Sequence, residues 1–354
     1  MNLPVTRSVL VAALLLLGQA VALASANTAA ESLDAAIHAE RFRQITSVLV
    51  AEKGRKTVEA YWNGADENTM HDTRSATKTL VALAVGAAID QGLIGSVLDP
   101  AFSYFEHQQP FAFDSETKRA ITVRDLLTMS SALDCNDNLQ VSPGNEGNMH
   151  DRRRWRRFVL DLPTEPGWKR SAAGYGPFRY CTAGSFLLGQ LVERVAGLKF
   201  DAYFQQQIAD PLGIRRIDWY HSGAGEIQTG GGAEMTSRDL LKLGELMLNG
   251  GLHAKKRVLS AGWIEEMLTP HVVPNDEQRY GYQTWYKPFR CGEGTTGGWY
   301  MAGNGGSKVA VFNTLGLTVV VTATLYGTRG MHEQTTRLIE DHVLAAHPQC
   351  GAEN

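Results

Sequence analysis

The stretch Ser75-Ala-Thr-Lys78-Thr79-Leu-Val-Ala-Leu-Ala-Val-Gly-Ala-Ala-Ile89 places a hydroxyl and an amine at the head of a run with almost no polar face. A run of this kind reads as a helix apolar nearly all round, and such a helix is buried instead of lying on a surface. At its first turn the Ser75 hydroxyl lies near the positive end of the helix macrodipole. Lys78, three residues on, shares its face. Desolvation and the local dipoles disfavour an ammonium there, so the amine is expected to take the serine proton and make Ser75 a nucleophile. The competing reading is a helix-capping serine beside a lysine that snorkels to water. A second Ser-x-x-Lys, Ser115-Glu-Thr-Lys118, stands among Asp114, Glu116 and Arg119, where both groups are expected to face water and the lysine to stay charged.

Working outward, β-rich runs occur at both ends of the chain. Ser47 to Ala51 and Thr57 to Trp62 read as a hairpin around Lys53-Gly54-Arg55, and Lys308 to Asn313 and Thr318 to Thr324 as a second pair joined through Gly316. Helical patterns fill the middle: Thr79 to Gln91, Val123 to Met129, Trp155 to Leu160, Ser185 to Val195, Ser237 to Asn249 and Ala261 to Leu268. Met331 to Ala346 gives a last helix. Thr122-Val-Arg-Asp125 and Thr236-Ser-Arg-Asp239 set a hydroxyl three residues before an acid, as capping boxes do. The fold class expected is α/β: an antiparallel sheet built from the N- and C-terminal strands, flanked by helices, with a mostly helical insert from about 134 to 228. No internal repeat or low-complexity linker divides residues 27–354, which are read as one catalytic domain.

The whole chain has 354 residues, 44% hydrophobic and 20% charged, with a net charge of −3. That balance gives no reason to expect a nucleic-acid partner. Arg7, the apolar run Val9 to Leu17 and the small-residue site Ala24-Ser25-Ala26 read as a signal peptide cut after Ala26. The run is short for a membrane span, so a periplasmic or secreted protein without stable membrane insertion is expected. In an oxidising compartment the four cysteines suggest two disulfides among three possible connectivities, here expected as Cys135–Cys181 and Cys291–Cys350, against four free buried thiols.

Several common sites are missing: G-x-S-x-G, H-E-x-x-H and the P-loop pattern do not occur. Gly292-Glu-Gly294-Thr-Thr-Gly297 matches G-x-G-x-x-G, but Gly298-Trp-Tyr-Met301 beyond it looks like the start of a strand and not the helix that a pyrophosphate needs, so the glycine-rich stretch is read as a loop. Arg152-Arg-Arg-Trp-Arg-Arg157 is read as a solvated helix face. Two further segments agree with Ser75 and Lys78. Phe178-Arg-Tyr180-Cys-Thr182 directly precedes a core helix, whereas Tyr61, Tyr220, Tyr282 and Tyr326, which also fit Y-x-[NST], do not combine that placement with a position after Ser75. Ala302-Gly-Asn304-Gly305-Gly306-Ser307 leads into a strand, and glycines there let an acyl group approach the backbone.

These elements, in this order, resemble the penicillin-recognising serine hydrolases, in the class C β-lactamase-like branch that includes secreted esterases, D-amino-acid peptidases and 6-aminohexanoate-dimer hydrolases. Ile121 to Leu133, Asp210-Pro-Leu-Gly-Ile214 and Gly231 to Leu240 carry the likeness further. The resemblance implies Ser75 as the acylated nucleophile, Lys78 as the lysine that shares its proton, and Tyr180 as general base or proton relay. It also implies an oxyanion held by the backbone N–H groups of Ser75 and Ser307, with no metal or organic cofactor. Departures narrow the expected substrate. Asn304 stands where lactamases and transpeptidases carry a lysine or histidine, so the cation that helps hold a substrate carboxylate is missing unless Lys308 points into the site. Thr182 replaces an asparagine of the second motif, and Met129 and Ala132 depart from the usual histidine and glycine. Trp168, Trp285, Trp299 and Tyr300 are candidates for an acyl pocket, or for plain core packing. The expected function is hydrolysis of a small-molecule ester or amide through a Ser acyl-enzyme. The alternatives are a β-lactamase or D-alanyl-D-alanine carboxypeptidase, and a catalytically silent protein that uses the same cleft for binding. Natural substrate and oligomeric state are not legible.

Overall fold

The computed structural model describes residues 30–351; the expected signal peptide lies outside them. Seven strands form one antiparallel sheet in the spatial order Arg55–Tyr61, Ile45–Glu52, Leu317–Leu325, Gly305–Phe312, Gly294–Ala302, Trp285–Cys291 and Arg279–Tyr280. The two ends of the chain meet in its middle, where Val50 lies opposite Val319. This is the mixed α/β sandwich that the terminal β-rich runs predict.

The central strands are buried along nearly their whole length. Both sheet faces are covered, which explains why these strands read as continuous apolar runs. The side-chain period of two splits them: Val309 and Val311 join the core that contains the helices Thr77–Asp90, Thr182–Ala196 and Ser237–Leu248, while Ala310 and Phe312 join a second core with Leu338, Ile339 and Leu344 of the C-terminal helix.

Thr77–Asp90 is buried from Thr77 to Ala88. A Cβ at Gly86 would stand 2.1 Å from the Trp263 indole nitrogen, so only glycine lets that ring cross the helix. Gln283 ties the neighbouring elements together. Its backbone N–H donates to Leu127 O at 3.0 Å, its carbonyl accepts from Thr79 Oγ1 at 2.7 Å, and its amide oxygen accepts from Ser185 Oγ at 2.7 Å. Both hydroxyl caps form, and at Thr122 the box closes, with Asp125 Oδ2 accepting the Thr122 N–H at 2.8 Å.

The disulfides are Cys135–Cys181 and Cys291–Cys350, as expected; all four cysteines are paired. Among the described residues no helix is long and apolar enough to cross a membrane. The arginine run begins a short helix, Trp155–Leu160, with Arg152, Arg153 and Arg154 exposed and Arg157 tied to Asp161 and to the carbonyls of Gln108 and Pro110.

Two expectations are corrected. The glycine-rich stretch 292–297 is not a free loop: after a turn at Gly292 and Glu293, Gly294–Ala302 is a strand, with Thr295 opposite Arg290 and Gly297 opposite Pro288. Its glycines make room for aromatic rings, since a Cβ at Gly297 would lie 2.4 Å from the Tyr286 hydroxyl and one at Gly298 would lie 2.7 Å from Phe312. Lys118 does not face water either. It is fully buried, donating to Ala112 O at 2.8 Å and Leu160 O at 3.0 Å, and burial pushes its amine down to about 8. Ser115 is only a helix cap, accepting the backbone N–H of Lys118.

Candidate active site

The nucleophile's turn is held from both sides. A small sheet, Met70–Asp72 with Ala233–Thr236 and Asp218–Trp219, delivers the chain to it. Thr73 Oγ1 then donates to Ala233 O at 2.7 Å, and Thr77 Oγ1 donates to Arg74 O at 2.7 Å. Ser75 lies in the 3₁₀ turn Arg74–Ala76 that runs into the buried helix. Arg74 itself has a φ of 47°, a left-handed backbone uncommon outside glycine, and its side chain pairs with Asp72 at 2.7 Å.

Lys78 is 1% exposed, and its Nζ donates to Ser75 Oγ at 3.1 Å and to the carbonyl of Gly230. The amine also lies 4.9 Å from the centre of the Tyr180 ring, which stacks on Trp285 with an interplanar angle of 25°. Ser75, Lys78 and Tyr180, more than a hundred residues apart in sequence at the extremes, are thus brought together. The contact between Lys78 and Tyr180 is amine to ring face. No hydrogen bond joins the Tyr180 hydroxyl to either partner among the described residues, in keeping with the loose geometry common before substrate binds.

Ser75 and Tyr180 open on a cleft of about 1340 Å³, which Thr182 and Asn304 also line. The third segment departs from expectation. Gly303 is the glycine that meets the nucleophile's turn, since a Cβ there would lie 2.2 Å from Thr73 O. Gly305 and Gly306 do not line the cleft. They carry φ values of 100° and 99° just before the bulge at Ser307, where a Cβ would strike Tyr326 or Met331 O, so their freedom serves the turn and not substrate approach. The Ser307 side chain points into the sheet, donating to Ala323 O and accepting from Ala323 N–H, both at 3.2 Å. Asn304 Oδ1 accepts from Gly327 N–H at 2.8 Å. Of the four proposed pocket aromatics, Trp285 and Tyr300 line the cleft, while Trp299 packs in the core on Tyr286 and Trp168 packs against Gly176.

Three groups near Lys78 escaped the sequence reading. Gly230, from the Gly230-Gly231-Gly232 run, supplies the carbonyl for the amine. Asp137 and Glu146 come from the insert and form an acidic wall. Asp137 Oδ2 accepts the Thr182 N–H at 2.7 Å, Glu146 Oε2 accepts from Thr182 Oγ1 at 2.8 Å, and the Glu146 N–H donates to Asp137 Oδ1 at 2.9 Å. Burial pushes the Asp137 carboxyl up, with the Lys78 charge and the bonds from Thr182 opposing. The glycine run was a visible signal for the first; nothing local distinguishes the two acids from other surface carboxylates. Among the described residues no cluster of three or more histidine, cysteine, aspartate or glutamate side chains is arranged to hold a metal.

Comparison with known proteins agrees with this geometry. The family model described as Beta-lactamase matches residues 32–344. The 6-aminohexanoate-dimer hydrolase of Paenarthrobacter ureafaciens is 30% identical over 232 residues, covering 63% of this chain and 57% of that protein. The chain therefore spans little more than half the length of that curated relative. Among solved structures, a family VIII carboxylesterase superposes with a TM-score of 0.67 at 17% identity, covering 91% of this chain and 97% of that one. A D-stereospecific amidohydrolase from Streptomyces superposes at 0.66 and 17%, covering 94% and 99%. At these identities the structural neighbours show the fold alone.

Proposed function

The chain belongs to the β-lactamase family, within the penicillin-recognising serine hydrolases, and from that premise we propose that it cleaves small amides or esters through an acyl-enzyme on Ser75. The observation that carries this reading is the 3.1 Å approach of Lys78 Nζ to Ser75 Oγ at the head of a buried helix. Lys78 and Tyr180, both beside the hydroxyl, take its proton as the serine oxygen attacks the substrate carbonyl. The ester or amide bond breaks, the leaving group takes the proton with Tyr180 as relay, and water then releases the acid by the reverse path. Backbone N–H groups of Ser75 and Ser307 are the proposed oxyanion donors.

The acidic wall suggests the substrate's character. Neither Asp137 nor Glu146 has an ion-pair partner within 4.0 Å among the described residues. Two acids bordering the cleft beside Lys78 favour positive charge there, which suits a substrate that carries an ammonium group. The Paenarthrobacter relative is named for a dimer of an amino acid, 6-aminohexanoate. Export with cleavage after Ala26 completes the reading, and the two disulfides support an oxidising compartment.

The test uses purified protein with a fluorophosphonate probe, an aryl acetate, a chromogenic cephalosporin and the 6-aminohexanoate dimer. Labelling at Ser75, turnover of the acetate and the amine-bearing amide, and a slow or absent cephalosporin reaction are expected. Dominant cephalosporin turnover would make it a β-lactamase, and no labelling by any of them, in wild type as in Ser75→Ala, a binding protein.

A further inference from the structure

Lys308 stands on the sheet face that carries Ala310 and Phe312, beneath the C-terminal helix, and is 2% exposed. It lies opposite Ala302 in the neighbouring strand, and Ala302, Asn304 and Lys308 all border the cleft that holds Ser75. The cleft thus continues from the nucleophile around the end of the strand to a buried amine that the acylation chemistry does not use.

An ammonium has three N–H donors. Lys308 Nζ spends two, on Thr336 Oγ1 at 2.7 Å and on His332 O at 3.0 Å, and it lies 5.3 Å from the centre of the Tyr300 ring. Among the described residues no carboxylate comes within ion-pair distance of it. Burial pushes its amine down to about 7. Lys287, two strands away in Trp285–Cys291, pushes the same way, and Glu333 and Glu340 on the C-terminal helix oppose more weakly. His332 borders the same end of the cleft, with Nδ1 buried and unpartnered. Lys118 gives the contrast: it too is buried, but it does not border the cleft. A buried amine without a counter-charge is costly unless an anion arrives, and for Lys308 the cleft is a route by which one can.

We propose that this end of the cleft is a carboxylate subsite, with Lys308 receiving a carboxylate that the substrate carries away from its scissile bond. The assignment of that carboxylate to a substrate rests on the hydrolase reading; the binding itself does not. Taken with the acidic wall by Lys78, it makes the preferred substrate an elongated molecule with an ammonium at one end and a carboxylate at the other. Carboxylate binding favours the charged form of Lys308, so at pH 8, above its free value, binding takes up a proton.

The experiment is calorimetric titration of Ser75→Ala protein at pH 8, in two buffers of different ionisation enthalpy. The probes are N-acetyl ω-amino acids with two to six methylenes, each compared with its carboxamide. At least one chain length should bind tenfold or more tighter as the carboxylate, with uptake approaching one proton. Lys308→Met should remove both the preference and the uptake. Equal binding of carboxylate and carboxamide at every length, or a preference without proton uptake, would overturn the proposal, and neither comparison needs the Lys308 variant to fold. Fluorophosphonate labelling of wild-type Ser75 is read separately, so a failed hydrolase reading and a failed subsite give different results.

Discussion

The backbone N–H of Asp137 donates to the carbonyl of Tyr180 at 2.8 Å, and the Cys135–Cys181 disulfide closes beside that bond. The insert is thereby stapled to the segment that presents Tyr180 and Thr182, and the acidic wall keeps its place beside Lys78 through the same staple. The second disulfide, Cys291–Cys350, joins a strand end to the C-terminus and touches none of these groups.

Replacing both Cys135 and Cys181 by serine should therefore cost activity as well as stability. Opening a disulfide with a sequence separation of 46 removes up to about 4 kcal/mol in the chain-entropy account. Urea unfolding should show a comparable loss for the Cys291/Cys350 double variant, whose separation is 59. Aryl acetate turnover, measured well below either unfolding midpoint, should fall tenfold or more only for the first pair.

The two Ser-x-x-Lys pairs should separate cleanly. Ser75→Ala and Lys78→Met are expected to lower kcat by about a thousandfold or more, as losing an activated nucleophile does. Ser115→Ala removes a cap and costs about 1 kcal/mol of stability with turnover unchanged. A loss of turnover in Ser115→Ala equal to that in Ser75→Ala would refute the assignment.

Acid should destabilise the fold in a defined window. Burial lowers His71 and His332 to about 4 from an ordinary 6.5. The unfolded chain then binds more protons than the folded one between those values, so stability is full above pH 6.5 and declines as pH falls toward 4. Urea midpoints at pH 7, 6, 5 and 4 should trace this, and His71→Asn should flatten part of the slope.

Lys308 works in the alkaline direction. Its folded value of about 7 lies below the ordinary 10.5, so its burial costs most at pH 7 and below, and the cost fades as pH rises toward 10.5. Without ligand, Lys308→Met should raise the melting temperature more at pH 6.5 than at pH 9.5. An equal gain at both would mean that the amine is not desolvated as described.

The sequence by itself determined the buried helix, because an apolar run of that length has no solvent face to offer, and it determined the paired hydroxyl and amine at its head, because their spacing is local. Terminal strands and hydroxyl caps were legible for the same reason: period and cap chemistry are written residue by residue. Tertiary structure alone decided that Lys118 turns inward while Ser115 merely caps, that Gly303 meets the nucleophile's turn while Gly305 and Gly306 lead into a bulge, and that Asp137 and Glu146 wall the cleft. Each of these depends on which distant segment fills the neighbouring space. Lys308 shows the distinction most plainly. Its letter lies within an ordinary strand, and only the helix packed over that strand from thirty residues on strips it of water while leaving it beside a cleft.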